Sequence, residues 1–226
     1  MDQYDRQLMQ YLSGYVTDNK QTLIDQNLRK RTRYVSVLLE NIYKPHNASA
    51  VVRTCDCLGI QDIHLIEEKE NYEINPYVVR GAGKWVDVHK YLTGDTENCL
   101  KELKGQGYRI MATTPHRDGC RPEEVSLDTP LIFAFGNEHA GLSEAVLDMA
   151  DGYVQIPQVG FTESYNISVT ASICLYSAVT RLWSSGKEWG LSPREIEDIR
   201  LRWYRECVKN VESHEKQFAK NYSADT

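Results

Sequence analysis

The chain contains no run of about 18 consecutive apolar residues, and its opening MDQYDRQLMQ lacks a basic segment followed by an apolar one. Both absences argue against a membrane partner and lead to the expectation of a soluble, cytoplasmic protein. Cysteine is sparse and scattered, at positions 55, 57, 99, 120, 174 and 207. Only Cys55 and Cys57 are close, and C-x-C is not a usual zinc spacing, so free thiols are expected. The six histidines, His46, His64, His89, His116, His139 and His214, include no pair three or four apart, and no metal site is expected. No G-x-x-x-x-G-K-[ST] phosphate loop and no G-x-S-x-G elbow occur, and Gly81-Ala82-Gly83 lacks the rest of a dinucleotide fingerprint. Positive charge is in deficit too: the formal net charge is −6 and the pI near 5.6. That balance counts against coating nucleic acid through bulk charge, and no DNA partner is expected, although a local basic patch is still allowed.

What the chain does have is length and alternation. Its 226 residues, 41% of them hydrophobic, are enough for one substantial core with helical extensions. The organising stretch runs from Leu131 to Tyr176. Leu131 to Phe135 is a continuous apolar run that reads as a strand buried on both faces and ends in Gly136-Asn137-Glu138. A short helix over Leu142–Met149, a strand over Tyr153–Ile156, a polar loop over Val159–Asn166 and a helix over Ile167–Trp183 follow. Two loops at the carboxyl ends of neighbouring strands make a crevice of the kind in which open α/β sheets hold ligands. On pattern alone, a loop pair without a ligand stays open.

Upstream, residues 2 to 29 read as two short helices broken near Gly14. The run Arg29-Lys30-Arg31-Thr32-Arg33 is either a solvated segment or a phosphate-contacting arm. Tyr34 to Leu39 reads as the first core strand, and Asn47 as the N-cap of a helix that carries Arg53 and stops at Gly59. Ile63 to Ile66 is a second strand; residues 67 to 95 read as loop with a short strand at Val86 to Val88. A helix over Thr96–Lys104 leads into a strand over Tyr108–Thr113 and a polar loop over Pro115–Asp128. This alternation predicts a mainly parallel α/β sheet with helices on both faces. After Ser184-Ser185-Gly186, the box Ser192-Pro193-Arg194-Glu195 opens a helix whose stripe is Ile196, Ile199, Trp203, Cys207 and Val211. The parent core or a partner subunit would cover that stripe. The organisation expected is a helical extension over 1–30, a core over 31–185 and a second helical extension over 186–226, fraying from about Asn221.

Three polar, glycine-bearing segments each follow an expected strand: NIYKPHNASAVVR from Asn41, FGNEHAGL from Phe135, and IPQVGFTESYNIS from Ile156. In that order they resemble the three motifs of the SpoU/TrmH-type ribose 2′-O-methyltransferases of the SPOUT superfamily, over roughly residues 30 to 185. The resemblance implies a deep trefoil knot in the C-terminal part of the sheet, S-adenosylmethionine as methyl donor, a homodimer, and tRNA as partner. The target it implies first is guanosine-18 in the tRNA D-loop; ribosomal RNA or another tRNA position is the alternative. A catalytically silent RNA-binding scaffold is the rival of another class.

Carried over residue by residue, the resemblance gives Arg53, Asn47, Glu138, Ser164 and Asn166 as catalytic positions. Arg53 would act on the 2′-hydroxyl, best as an orienting group whose planar fork also holds a neighbouring phosphate, since arginine stays protonated in water. Asn47 would fix where Arg53 points, and Glu138 would orient Arg53 or a polar neighbour. The cofactor positions implied are Thr113, Gly136, Ile156 and Tyr165, contacted largely through the main chain. Tyr165 stands where the family usually has leucine, which enlarges the ring at that point of the pocket, and Phe161 would shield adenine or simply pack. Arg29, Lys30, Arg31 and Arg33, with Arg200, Arg202 and Arg205, are the candidate RNA contacts.

Overall fold

A computed structural model of the chain describes residues 1–67 and 82–222. Helices α1 (Gln3–Ser13) and α2 (Asp18–Leu28) come first, broken at Gly14 as expected. Strand β1 (Val35–Glu40), helix α3 (Pro45–Leu58) and strand β2 (Asp62–Glu67) follow. Gly81 lies outside the described residues; beyond it, strand β3 spans Asp87–Leu92, longer than the short strand expected there. Then come α4 (Thr96–Gly105), β4 (Arg109–Thr113), β5 (Leu131–Phe135), α5 (Glu144–Met149), β6 (Gly152–Val154) and α6 (Ile167–Trp183). β6 is shorter than the strand read from sequence, because Gln155 and Ile156 have already left the ladder. The C-terminal stripe is two helices, α7 (Pro193–Cys207) and α8 (Val211–Tyr222), and not one. Val208 turns extended and Asn210 takes φ 51°, a left-handed conformation that asparagine tolerates better than most residues.

The chain divides into two compact units, one made of Met1–Arg31 with Gly190–Thr226 and the other of Thr32–Trp189. The sequence reading treated the two ends as separate extensions; they fold together. In this helical unit Leu8, Leu12, Ile24 and Leu28 are buried, as are Ile199, Trp203 and Phe218 from α7 and α8. The capping box at Ser192 and Glu195 forms as the sequence predicts.

Among the described residues, the larger unit is built on a six-stranded sheet of order β3-β2-β1-β5-β4-β6, in which every pairing is parallel. Side-chain alternation gives it two cores. Val37, Leu39, Phe133 and Phe135 pack with α3 and α6 on one face, while Leu38, Ile132 and Ala134 pack with α4 and α5 on the other. Growth of the sheet reverses between β1 and β5, which puts a crevice outside their carboxyl ends.

At the other side of the sheet, β2 and β3 carry a cluster of ionisable groups. Arg33 pairs with Asp62 and, at 2.8 Å, with Asp87, while His89 Nε2 sits 3.0 Å from Asp62. His64 is buried and stacks on His89, the ring centroids 4.9 Å apart. Burial, and then the charge of His89, push the His64 pKa from 6.5 down to about 4. Above pH 6.5 neither the folded nor the unfolded chain protonates this ring; as pH falls below that value, the unfolded chain binds a proton that the folded one resists, and stability is lost. His89 is shifted upward, chiefly by its bond to Asp62, so its stabilisation is fully present below 6.5 and fades as pH rises above it, a change of opposite sign that wild type and a His64 variant share. By pH 5 the His64 loss is about 2 kcal/mol. His64→Phe, which keeps a ring against His89, should therefore shrink the drop in unfolding free energy between pH 7.5 and pH 5 by about that amount. Urea unfolding at both pH values measures it; an undiminished drop in the variant would assign the acid sensitivity elsewhere.

Candidate active site

The crevice is assembled from the ends of β1 and β5. Asn137, two residues past the end of β5, donates from Nδ2 to the Asn41 carbonyl at 2.6 Å, and its Oδ1 accepts from the backbone N–H groups of His139 and Ala140. Asn41 itself adopts φ 50°. Asn137 and Gly141 close the loop by exchanging two backbone hydrogen bonds of 2.9 Å. Buried Glu40, the last residue of β1, accepts from Ser143 N and Oγ at 2.8 and 2.7 Å and so anchors the start of α5.

Glu138 points back toward α3. Its carboxylate accepts from the backbone N–H groups of Tyr43 at 2.8 Å and Lys44 at 3.3 Å, and from Asn47 Nδ2 at 2.5 Å. Lys44 is the N-cap of α3 and has no side-chain cap of its own, so Glu138 supplies the acceptor from another part of the chain. This corrects the reading of Asn47 as the cap. Pro45 takes the first helical position, which its fixed φ suits, and Asn47 lies buried two residues inside the helix. Burial raises the Glu138 pKa, but the Asn47 amide and the backbone N–H groups of Glu138, Tyr43 and Lys44 outweigh it and hold the carboxylate below its ordinary range.

Asn47 continues the connection. Its Oδ1 accepts from Asn166 Nδ2 at 3.2 Å, and Asn166 is the N-cap of α6, its Oδ1 accepting from Ser168 N and Oγ. Glu138, Asn47 and Asn166 thus form one hydrogen-bonded row that ties the loop after β5 to the starts of α3 and α6. Three segments lying 91 and 119 residues apart meet in it. The sequence profile of the SpoU rRNA Methylase family matches residues 34–176, the span that holds all three segments.

The chain belongs to this family.

A tRNA (guanosine(18)-2′-O)-methyltransferase of Borreliella burgdorferi is 39% identical over 201 residues, covering 89% of this chain and 91% of that protein. A solved structure described as a TrmH/SpoU tRNA modifying enzyme of A. aeolicus superposes with a TM-score of 0.77 at 31% identity, covering 85% of this chain and 98% of that one. The SpoU methyltransferase AviRb of Streptomyces viridochromogenes, solved with the cofactor AdoMet, gives a TM-score of 0.60 at 26% identity over 72% of this chain and 62% of that one.

Of the five catalytic positions that the SpoU resemblance implied, Asn47, Glu138 and Asn166 are brought into contact and Arg53 and Ser164 are not. Arg53 is exposed on α3, and Ser164 is exposed on the loop before α6. α3 and α6 also meet through the Thr54 and Ser172 hydroxyls, 3.2 Å apart. Among the cofactor positions, Thr113 ends β4 and donates from Oγ1 to the Ala134 carbonyl of β5 at 2.8 Å. Thr114 N donates to the Val154 carbonyl, joining β4 to β6. Ile156 is half-buried against the core, and Tyr165 is exposed. Gly136 has a tighter reason to lack a side chain than approach to a ligand: a Cβ there would meet Gly141 and Leu142 backbone at 2.2 Å.

The basic run behaves unevenly. Arg29 and Lys30 are exposed, but Arg31 is buried with its guanidinium 5.1 Å over the Trp203 ring, and Arg33 is engaged by Asp62 and Asp87. These two hold the fold instead of forming an arm. Arg200 pairs with Asp25 at 2.8 Å, Arg205 with Glu215 at 2.7 Å, and Arg202 is half-buried. Amphipathic helix patterns do not reveal which cations a helix spends on its neighbours. Glu40 and Asn137 were not singled out from sequence; a polar residue at or just past the end of an apolar strand was the available signal.

Proposed function

We propose that this protein transfers the methyl group of S-adenosylmethionine to the 2′-hydroxyl of guanosine-18 in tRNA. The observation that carries this reading is the row Glu138–Asn47–Asn166, which joins the three motif segments at the reversal of a parallel sheet. The guanosine target follows the name of the Borreliella burgdorferi relative.

The ends of β4, β5 and β6 are bonded to one another, and the loop that follows β6 is exposed over 158–165, which suits a cofactor held largely through backbone. Thr113, Gly136, Ile156 and Tyr165 would hold it. When bound, that group supplies an electrophilic methyl on a sulfonium. The protein must then orient a weak nucleophile and exclude water. Arg53 binds the hydroxyl and an adjacent phosphate through its fork, and Ser164 lines the loop that faces them. Glu138 and Asn47 act through position: they fix the first turn of the helix on which Arg53 stands.

RNA approaches through the helical unit in this reading. That unit carries 12 Lys and Arg against 11 Asp and Glu, whereas the sheet unit carries 14 against 21. Arg29 and Lys30 are its exposed contacts, so binding falls steeply with salt. The working form is a homodimer, supported by exposed Val169, Ile173, Tyr176 and Trp183 along one side of α6, a stripe that water does not favour. The connection between β4 and β5 forms the loop of a trefoil knot; Cys120 bridges to Val154, and Arg181 of α6 donates to the Pro122 and Val125 carbonyls, both of which support threading there. No helix among the described residues is long and apolar enough to cross a membrane, and a tRNA substrate makes the cytoplasm the compartment.

Labelled methyl transfer to unmodified tRNA transcripts, with the modified nucleotide mapped, tests the function. Label on the ribose of guanosine-18 is the expected result. Label on ribosomal RNA alone would replace the substrate, and no label on any RNA with cofactor still bound would overturn the activity.

A further inference from the structure

The loop between β1 and α3 presents an exposed aromatic ring on a backbone that hydrogen bonds hold in place. Tyr43 is 64% exposed, yet its backbone N–H is bonded to Glu138 and its neighbours are tied down on both sides. Asn41 donates to the Ile66 carbonyl at 2.8 Å, Ile42 is buried, and Lys44 N shares the Glu138 carboxylate. The ring meets that of exposed His139 edge to face, centroids 5.6 Å apart. Both residues flank Glu138, one through a hydrogen bond and one in sequence, so the pair stands at the rim of the Glu138–Asn47–Asn166 row.

We propose that Tyr43, supported by His139, is a stacking platform for a nucleobase of the RNA next to the methylated ribose. The inference rests on the function proposed above. Reaching a 2′-hydroxyl in a folded RNA requires the nucleotide to leave its stack, and an aromatic face restores the contact it gives up. A ring on a backbone already fixed by hydrogen bonds pays little ordering entropy when it binds. The contact also suits the electrostatics of this unit: with 21 acidic residues against 14 basic ones its bulk charge does not attract RNA, and stacking needs no net charge.

Steady-state kinetics of tRNA methylation at two salt concentrations test this with wild type, Tyr43→Ala, Tyr43→Trp and His139→Ala. Tyr43→Ala should raise KM for tRNA roughly tenfold while kcat and KM for S-adenosylmethionine stay within about twofold, and Tyr43→Trp should restore KM. His139→Ala should give a smaller rise. The ratio of Tyr43→Ala to wild type should be the same at both salt concentrations, because stacking releases no counterions. An active wild type with Tyr43→Ala unchanged, or a defect that Tyr43→Trp leaves in place, overturns the platform alone. A wild type that methylates no RNA overturns the parent function, and the platform with it.

Discussion

Arg53→Ala should lower kcat/KM for tRNA methylation by at least about a hundredfold and leave the unfolding midpoint in urea unchanged. The two halves of that expectation come from different facts. Arg53 is exposed in mid-helix, and alanine is the best helix former, so the fold loses nothing by the change. In the proposed mechanism the reaction loses the planar donor that would hold the hydroxyl in line with the sulfonium methyl. Arg53→Lys should recover little, because an ammonium cannot hold hydroxyl and phosphate in one plane. Methyl transfer and urea unfolding on the same preparations decide the matter; an alanine variant that keeps a tenth of wild-type activity would remove Arg53 from the chemistry.

Gly136→Ala should do the reverse, damaging fold and activity together. A Cβ at this position would lie 2.2 Å from the Gly141 carbonyl carbon and the Leu142 nitrogen and 2.3 Å from the Gly141 oxygen. All three are backbone atoms and cannot swing aside, so the loop must open. Opening it breaks the paired Asn137–Gly141 hydrogen bonds, unseats Glu138 from the start of α3 and strands the Asn47 amide inside the protein. Overpacking and a buried unpaired amide together cost about 3 kcal/mol or more. The matching change at Gly160, where the nearest atom to a Cβ is Thr162 N at 4.0 Å, should be neutral to stability and serves as the control. Urea unfolding of both variants is the measurement. A Gly136→Ala protein within about 1 kcal/mol of wild type would mean that the loop yields more readily than its contacts imply.

Much of this was legible in the chain. The apolar runs at Val35–Leu39, Ile63–Ile66 and Leu131–Phe135 are strands because continuous β-branched and aromatic residues suit a sheet covered on both faces, and α/β alternation made that sheet parallel. The three motif segments marked the crevice before any coordinate did. Local chemistry misled at Asn47, where a good capping residue follows Pro45 by two positions, and at the α7–α8 stripe, whose spacing runs on through a break.

What the sequence determined by itself is therefore most of the elements, the parallel sheet and the three segments that meet in the crevice, because periodicity and motif spacing are local or recurrent properties. Only the tertiary structure decided who holds whom. Glu138 caps a helix 94 residues away, Asn166 completes a row with Asn47 across 119 residues, Arg31 and Arg33 are drawn from a basic run into the fold, and the two chain ends share one helical unit. The reason is physical: a hydrogen bond or an ion pair depends on distance in space, and nothing in the spacing of residues along a chain records which distant groups the closing of a sheet will bring within 3 Å of each other.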